Sequence, residues 1–191
     1  MSKSPAREGG AHLGHDLQPI RIADSTINLF PLFMSLTIDQ YRGWRRPERG
    51  VIKCNVDASF SPQTRNSAGG IVFRDDIGEV SGGAAKILYA NSALGAEALI
   101  LREATLMAAN MDMQRVTFES DNKQVIEACT GRNLKGEIEQ IIRDIRNWKI
   151  NFPSWSFIWI PRTGNQSAHS IADLKKQRNL PPNWIWSPLL H

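Results

Sequence analysis

Ile52-Lys53-Cys54-Asn55-Val56-Asp57-Ala58-Ser59-Phe60 alternates apolar residues at the even positions with polar ones at the odd positions. A two-residue period is that of a β-strand with one apolar face. Asp57 therefore lies on the polar side of a strand that opens the folded part of the chain. Downstream, Ser67-Ala68-Gly69-Gly70 leads into Ile71-Val72-Phe73-Arg74, a turn follows at Asp75-Asp76-Ile77-Gly78, and residues 79–87 form a further strand. Three successive strands joined by such short links run antiparallel.

Beyond this meander the period changes. Ala93 to Met111 is rich in Ala, Leu, Met and Glu, holds no proline and can be capped by Asn91 or Ser92, which predicts a long helix. A strand over 115–119 and a short helix over 122–129, ended by Gly131, come next. A helix over 135–149 follows, with Ile138, Ile141, Ile142 and Ile145 at helical spacing. The last strand spans 155–160 and is stopped by Pro161. Thr163-Gly164-Asn165-Gln166 resembles a capping box and opens a final helix that runs to about Lys176. The order βββαβααβα predicts an α/β domain in which a five-stranded mixed sheet, three antiparallel strands followed by two parallel ones, is flanked by helices. Residues 1–49 show no stable period and read as a tail and linker, so the domain is assigned to 50–191.

The 191 residues are 41% hydrophobic and 22% charged, the range of an ordinary globular protein. With Lys and Arg at 23 against 19 Asp and Glu, the net charge of +4 is compatible with a polyanionic partner without requiring one. Cys54 and Cys129 form no CxxC pair, which favours a reducing, intracellular setting, cytoplasm or nucleus, over secretion. The apolar stretch from Ile27 to Ile38 is too short for a membrane span and is interrupted by Pro31. A monomer without membrane contact is expected.

Three carboxylates stand out. Glu97 shares a helix side with Leu101, Ala104, Ala108 and Met111, so an acid sits on the core-facing stripe. Such a group needs a partner, a metal or an exposed helix end, where the helix dipole would favour it. Asp57 on the first strand and Asp121, closing Phe118-Glu119-Ser120-Asp121, could each be a turn or capping residue. Together, two strand-borne Asp residues facing a helix with an inward Glu make the oxygen-rich ligand set preferred by Mg²⁺ or Mn²⁺.

The segments Lys53-Cys54-Asn55-Val56-Asp57-Ala58-Ser59, Gly69-Gly70, Ala96-Glu97-Ala98, Glu119-Ser120-Asp121 and Asn165-Gln166-Ser167-Ala168-His169 resemble the ribonuclease H type domains common in plant proteins and plant retroelements. The approach Trp44-Arg45-Arg46-Pro47 and the terminal stretch from Trp184 to Pro188 are similar to that group too. The resemblance implies a ribonuclease H-like fold and an endonuclease that cuts the RNA strand of RNA/DNA hybrids with two magnesium ions, manganese being an alternative. It implies that Asp57 bridges the ions and that Glu97 and Asp121 complete them. Asn165, Arg162, Ser59 and Asn122 are the expected substrate contacts.

Two departures set this chain apart. His169 stands where better known bacterial and viral members place a fourth acid, although the plant group accepts His or Asp there, and Asp173 lies one turn further on. Pro161-Arg162-Thr163-Gly164 occupies the loop where those members carry a mobile histidine, leaving Arg162 to meet phosphate. The link of residues 130–134 has no room for an extra basic helix, so modest substrate affinity is expected, with Arg143, Arg146 and Lys149 as further candidates for the phosphate backbone. A catalytically weak or inactive module that binds hybrid or RNA is the alternative reading. The remaining tryptophans read as core or lid aromatics.

Overall fold

The computed structural model describes residues 43–131, 136–177 and 180, together with the backbone of 184–186. The expectations for residues 1–42, for 132–135 within the short link and for 187–191 fall outside the described residues.

β1 (Ile52–Phe60) lies inside the sheet, antiparallel to β2 (Asn66–Arg74) on one side and parallel to β4 (Val116–Ser120) on the other. β3 (Val80–Tyr89) continues the antiparallel side, and β5 (Ser156–Trp159) pairs parallel with β4. These are the five strands and the strand directions expected from the sequence. A short β6 (Trp184–Trp186) then pairs with β3 and makes the order β5-β4-β1-β2-β3-β6. The sequence reading took those terminal tryptophans as aromatics only, because three residues are too few to display a period.

The helices are α1 (Ala93–Asn110), α2 (Lys123–Thr130), α3 (Glu139–Asn151) and α4 (Gln166–Lys176). Ser92 caps α1 by accepting a hydrogen bond from the Gly95 amide at 2.9 Å. Asn122 caps α2, accepting from the Val125 amide at 3.2 Å. The expected box at α4 is not made: Asn165 occupies the N-cap position, yet its side chain makes no capping bond.

The apolar parity of β1, with Cys54 and Val56, joins Ile71, Phe73, Ile100, Leu101, Phe118, Ile142 and Trp155 in the main core beneath α1. α4 covers the opposite face, packing its Ile171 with Val72 and Ala85. The polar parity of β1 is therefore enclosed as well, and Asn55, Asp57 and Ser59 are all buried. Gly69 and Gly70 make both close approaches possible. A Cβ on Gly69 would lie 2.3 Å from the Ile100 side chain, and one on Gly70 would lie 2.3 Å from the Ala168 carbonyl oxygen. Before β1, Trp44 is buried, with the Arg74 guanidinium 5.0 Å and the Lys53 ammonium 5.5 Å from its ring centroid.

Candidate metal centre

β1 and β4 pair only as far as Asn55 opposite Glu119. Just past that last pair the strands deliver Asp57 and Asp121, and α1 adds Glu97 from its first turns. One carboxylate oxygen from each of the three lies within 4.8 Å of the others. The helical stripe that singled out Glu97 is real, since Leu101, Ala104 and Ala108 are fully buried behind it.

Electrostatics in this cluster are unfavourable without a cation. Burial pushes Glu97 well above the ordinary carboxylate range, and the charges of Asp57 and Asp121 push it further, while the Ala58 amide pulls it back. Asp57 is raised by burial first and by Asp121, against the lowering effect of its hydrogen bond with His169. Glu97 Oε2 is buried with no hydrogen-bond partner, a costly arrangement for a carboxylate. A buried carboxylate oxygen without a partner, on a residue of a cluster of hard oxygen donors, fits Mg²⁺ or Mn²⁺, which take carboxylates in preference to softer ligands.

His169 reaches the cluster from α4. Its Nδ1 is 2.8 Å from Asp57 Oδ2 and its Nε2 is 3.3 Å from Asp173 Oδ2. The hydrogen bond to Asp57 raises its pKa, with burial opposing, and two carboxylates at the two ring nitrogens favour imidazolium. Arg162 Nη2 lies 3.1 and 3.0 Å from the same two nitrogens. An atom nearly equidistant from both is aligned with neither lone pair, so the guanidinium lies across the ring rather than donating to it. Arg162 also stands 3.8 Å from Asp121 Oδ2 and is largely exposed, open to an incoming anion.

The other expected contacts divide. Ser59 is buried, and its Oγ accepts from Lys176 Nζ at 2.7 Å. Asn122 uses its side-chain oxygen as the α2 cap. Asn165 is enclosed completely, and its amide donates to Val56 O at 2.8 Å and to Asp121 Oδ1 at 3.2 Å. It holds an acid of the cluster instead of facing solvent. The α3 cations are engaged internally: Arg146 donates to the Ala128 and Gly131 carbonyls, Lys149 to the Trp155 carbonyl, and Arg143 pairs with Glu139. Trp155 is core, whereas the half-exposed Trp159 donates to the Asp121 carbonyl at 3.0 Å and so braces the end of β4. The sequence reading missed Asn55 and Lys176, whose polar side chains looked like strand and helix surface.

A family model described as reverse transcriptase-like matches residues 55–175, more than half of the chain. The chain belongs to the reverse transcriptase-like family. No curated protein sequence matches this family member. Among solved structures it is similar to ribonuclease H1 from the archaeon Halobacterium salinarum, with a TM-score of 0.62 and 19% identity over 66% of this chain and 98% of that one. A ribonuclease H1 isolated from compost by a metagenomic approach, solved in complex with RNA/DNA hybrid, gives 0.61 and 18% over 68% of this chain and 99% of that one. A foamy viral protease-reverse transcriptase in complex with RNA/DNA hybrid gives 0.56 and 17% over 67% of this chain and 20% of that one. These likenesses show that this reverse transcriptase-like chain has the ribonuclease H fold. Among the described residues no helix is long and apolar enough to cross a membrane.

Proposed function

We propose that the domain at residues 50–191 is a divalent-metal-dependent endonuclease that hydrolyses the RNA strand of RNA/DNA hybrids. The observation that carries this reading is the convergence of Asp57, Glu97 and Asp121 to within 4.8 Å, with a buried Glu97 oxygen left without a partner. These three side chains would hold two Mg²⁺ or Mn²⁺ ions. Such ions supply Lewis acidity that activates water and offsets the charge gathering on the phosphate. Asn165 orients Asp121, and Arg162, exposed beside it, meets the scissile strand's phosphate.

A groove of about 370 Å³, with Arg65 and Lys176 among the residues around it, is compatible with a polyanionic substrate, whereas the Lys175 beside them is buried. Lys176 ties this groove to Ser59, two residues along β1 from Asp57, so cationic groups follow the same face as the acids. A hybrid would be read through its shape and 2′-hydroxyls, not its base sequence. The protein acts as a monomer on intracellular nucleic acid.

A second reading, a hybrid- or RNA-binding module with little turnover, is favoured by one observation: His169, not a fourth acid, bonds Asp57. Labelled hybrid incubated with Mg²⁺ or Mn²⁺ separates the two. Cutting by the wild type and at least about a hundredfold less by Asp57→Asn, beyond the usual cost of losing a supporting contact, is the expected result. Tight binding by both without cutting would establish the module instead.

A further inference from the structure

Behind the carboxylates, Asn165 is itself held by a line of buried polar side chains that the proposed chemistry does not use. Arg74 on β2 is fully buried, and its Nη1 donates to Asn55 Oδ1 at 3.4 Å while its Nη2 donates to Ser167 Oγ at 2.7 Å. Asn55 Nδ2 donates to Asn165 Oδ1 at 3.2 Å and to Glu119 Oε2 at 3.1 Å. Asn165 Nδ2 in turn reaches Asp121 Oδ1 at 3.2 Å. Lys53 Nζ completes the surroundings of Glu119 at 2.7 Å from Oε1.

Every donor in the sequence Arg74, Asn55, Asn165, Asp121 points the same way, from a buried cation toward an acid of the cluster. The amide orientations follow from the partners. Turning Asn55 over would set its NH₂ against the guanidinium and its oxygen against Glu119; turning Asn165 over would set its oxygen against Val56 O and Asp121. Burying this many polar groups is expensive, and an apolar replacement of equal volume would serve stability as well or better. The arrangement therefore answers to placement. Its location agrees: the β1–β4 ladder stops at Asn55 and Glu119, so beyond that point no backbone bond between the two strands fixes Asp121 relative to Asp57.

We propose that Asn55 is a positioning residue for the metal centre, fixing the Asp121 carboxylate through Asn165 with Arg74 as its anchor. The inference rests on the metal-dependent reading above and adds the residues that set the ligand geometry. Calorimetric titration of the full chain with Mn²⁺ tests it, alongside thermal melting. Asn55→Ala is expected to bind Mn²⁺ about tenfold more weakly, as losses of outer-shell partners do. It should also need correspondingly more Mg²⁺ for half-maximal cleavage, with the KM for hybrid at saturating metal unchanged. Ser167→Ala, which removes the hydroxyl that Arg74 Nη2 meets and leaves the Asn55–Asn165–Asp121 bonds in place, should keep wild-type Mn²⁺ affinity. If Asn55→Ala does not fold, Asn55→Ser, too short to reach Asn165, carries the same expectation. Wild-type Mn²⁺ affinity in whichever Asn55 variant folds would overturn the proposal and leave Asn55 a stability residue. No Mn²⁺ binding by the wild type would overturn both this proposal and the nuclease reading, which keeps the two failures apart.

Discussion

His169 sits between two acids, 2.8 Å from Asp57 and 3.3 Å from Asp173, and this sandwich bears directly on the proposed metal centre. An imidazolium there neutralises part of the charge that a cation would otherwise neutralise, and imidazole is a poor ligand for a hard ion. Replacing it with a carboxylate adds a hard donor next to Asp57 and removes the competitor. His169→Asp is therefore expected to raise the Mg²⁺-dependent cleavage rate by about tenfold, equivalent to about 1.4 kcal/mol of barrier. A rate that falls would mean the histidine has its own task in turnover. The three acids were legible in the sequence, because Glu97 broke an apolar stripe and Asp57 and Asp121 fell on motifs in a fixed order. Asn55 was not legible. On a strand of period two it shares a side with Asp57, and that pattern tells which residues point together but not what covers them.

Strand and helix identities follow from period and capping chemistry, which act locally, and so the order of elements could be read along the chain. What the period could not supply was the burial of both β1 faces and the presence of β6, since both depend on which distant element lands where. The glycine pair on β2 is where those landings are decided. Gly70 faces α4, with the Ala168 carbonyl and Ala172 amide 2.3 and 3.0 Å from the position of an added Cβ, whereas Gly69 faces the Ile100 side chain. A backbone cannot rotate out of the way as a side chain can. Both Gly69→Ala and Gly70→Ala should lose about 1–3 kcal/mol by overpacking. Gly70→Ala should weaken Mn²⁺ binding the more, because it presses on the backbone of the helix whose start holds Asn165 and His169, whereas the outer carbons of Ile100 can move first at Gly69. Melting curves with parallel Mn²⁺ titrations check this, and equal metal affinity in the two variants would show that α4 can shift without disturbing the acids.

Across the whole molecule, the acid cluster makes stability depend on pH in a direction opposite to that of ordinary salt-bridged carboxylates. Glu97 is held well above its ordinary 4.5, so the folded state takes up this proton more readily than the unfolded chain does. Stability of the metal-free protein must then fall as pH rises from that ordinary value through the raised one. Asp57, raised from 3.8, adds to the same slope. His169, raised from 6.5, contributes stabilisation that is complete below its ordinary value and is lost as pH rises through the folded one. All three act together, so the melting temperature in chelator should decline between about pH 5 and pH 8. On the proposed function, divalent cations would bind only the deprotonated, assembled cluster, and at a hundred times the dissociation constant they would add about 2.7 kcal/mol to the folded state. The Mg²⁺-induced rise in melting temperature should therefore grow with pH. Glu97→Gln should make the chelator profile shallower, leaving the slope that Asp57 and His169 contribute, and should remove most of the Mg²⁺ increment at once, since Glu97 has a part in both. Thermal melts of the two proteins at several pH values, with chelator and with Mg²⁺, measure each term. A chelator profile that rises with pH would mean that the folded chain already neutralises these acids and has no need of a cation.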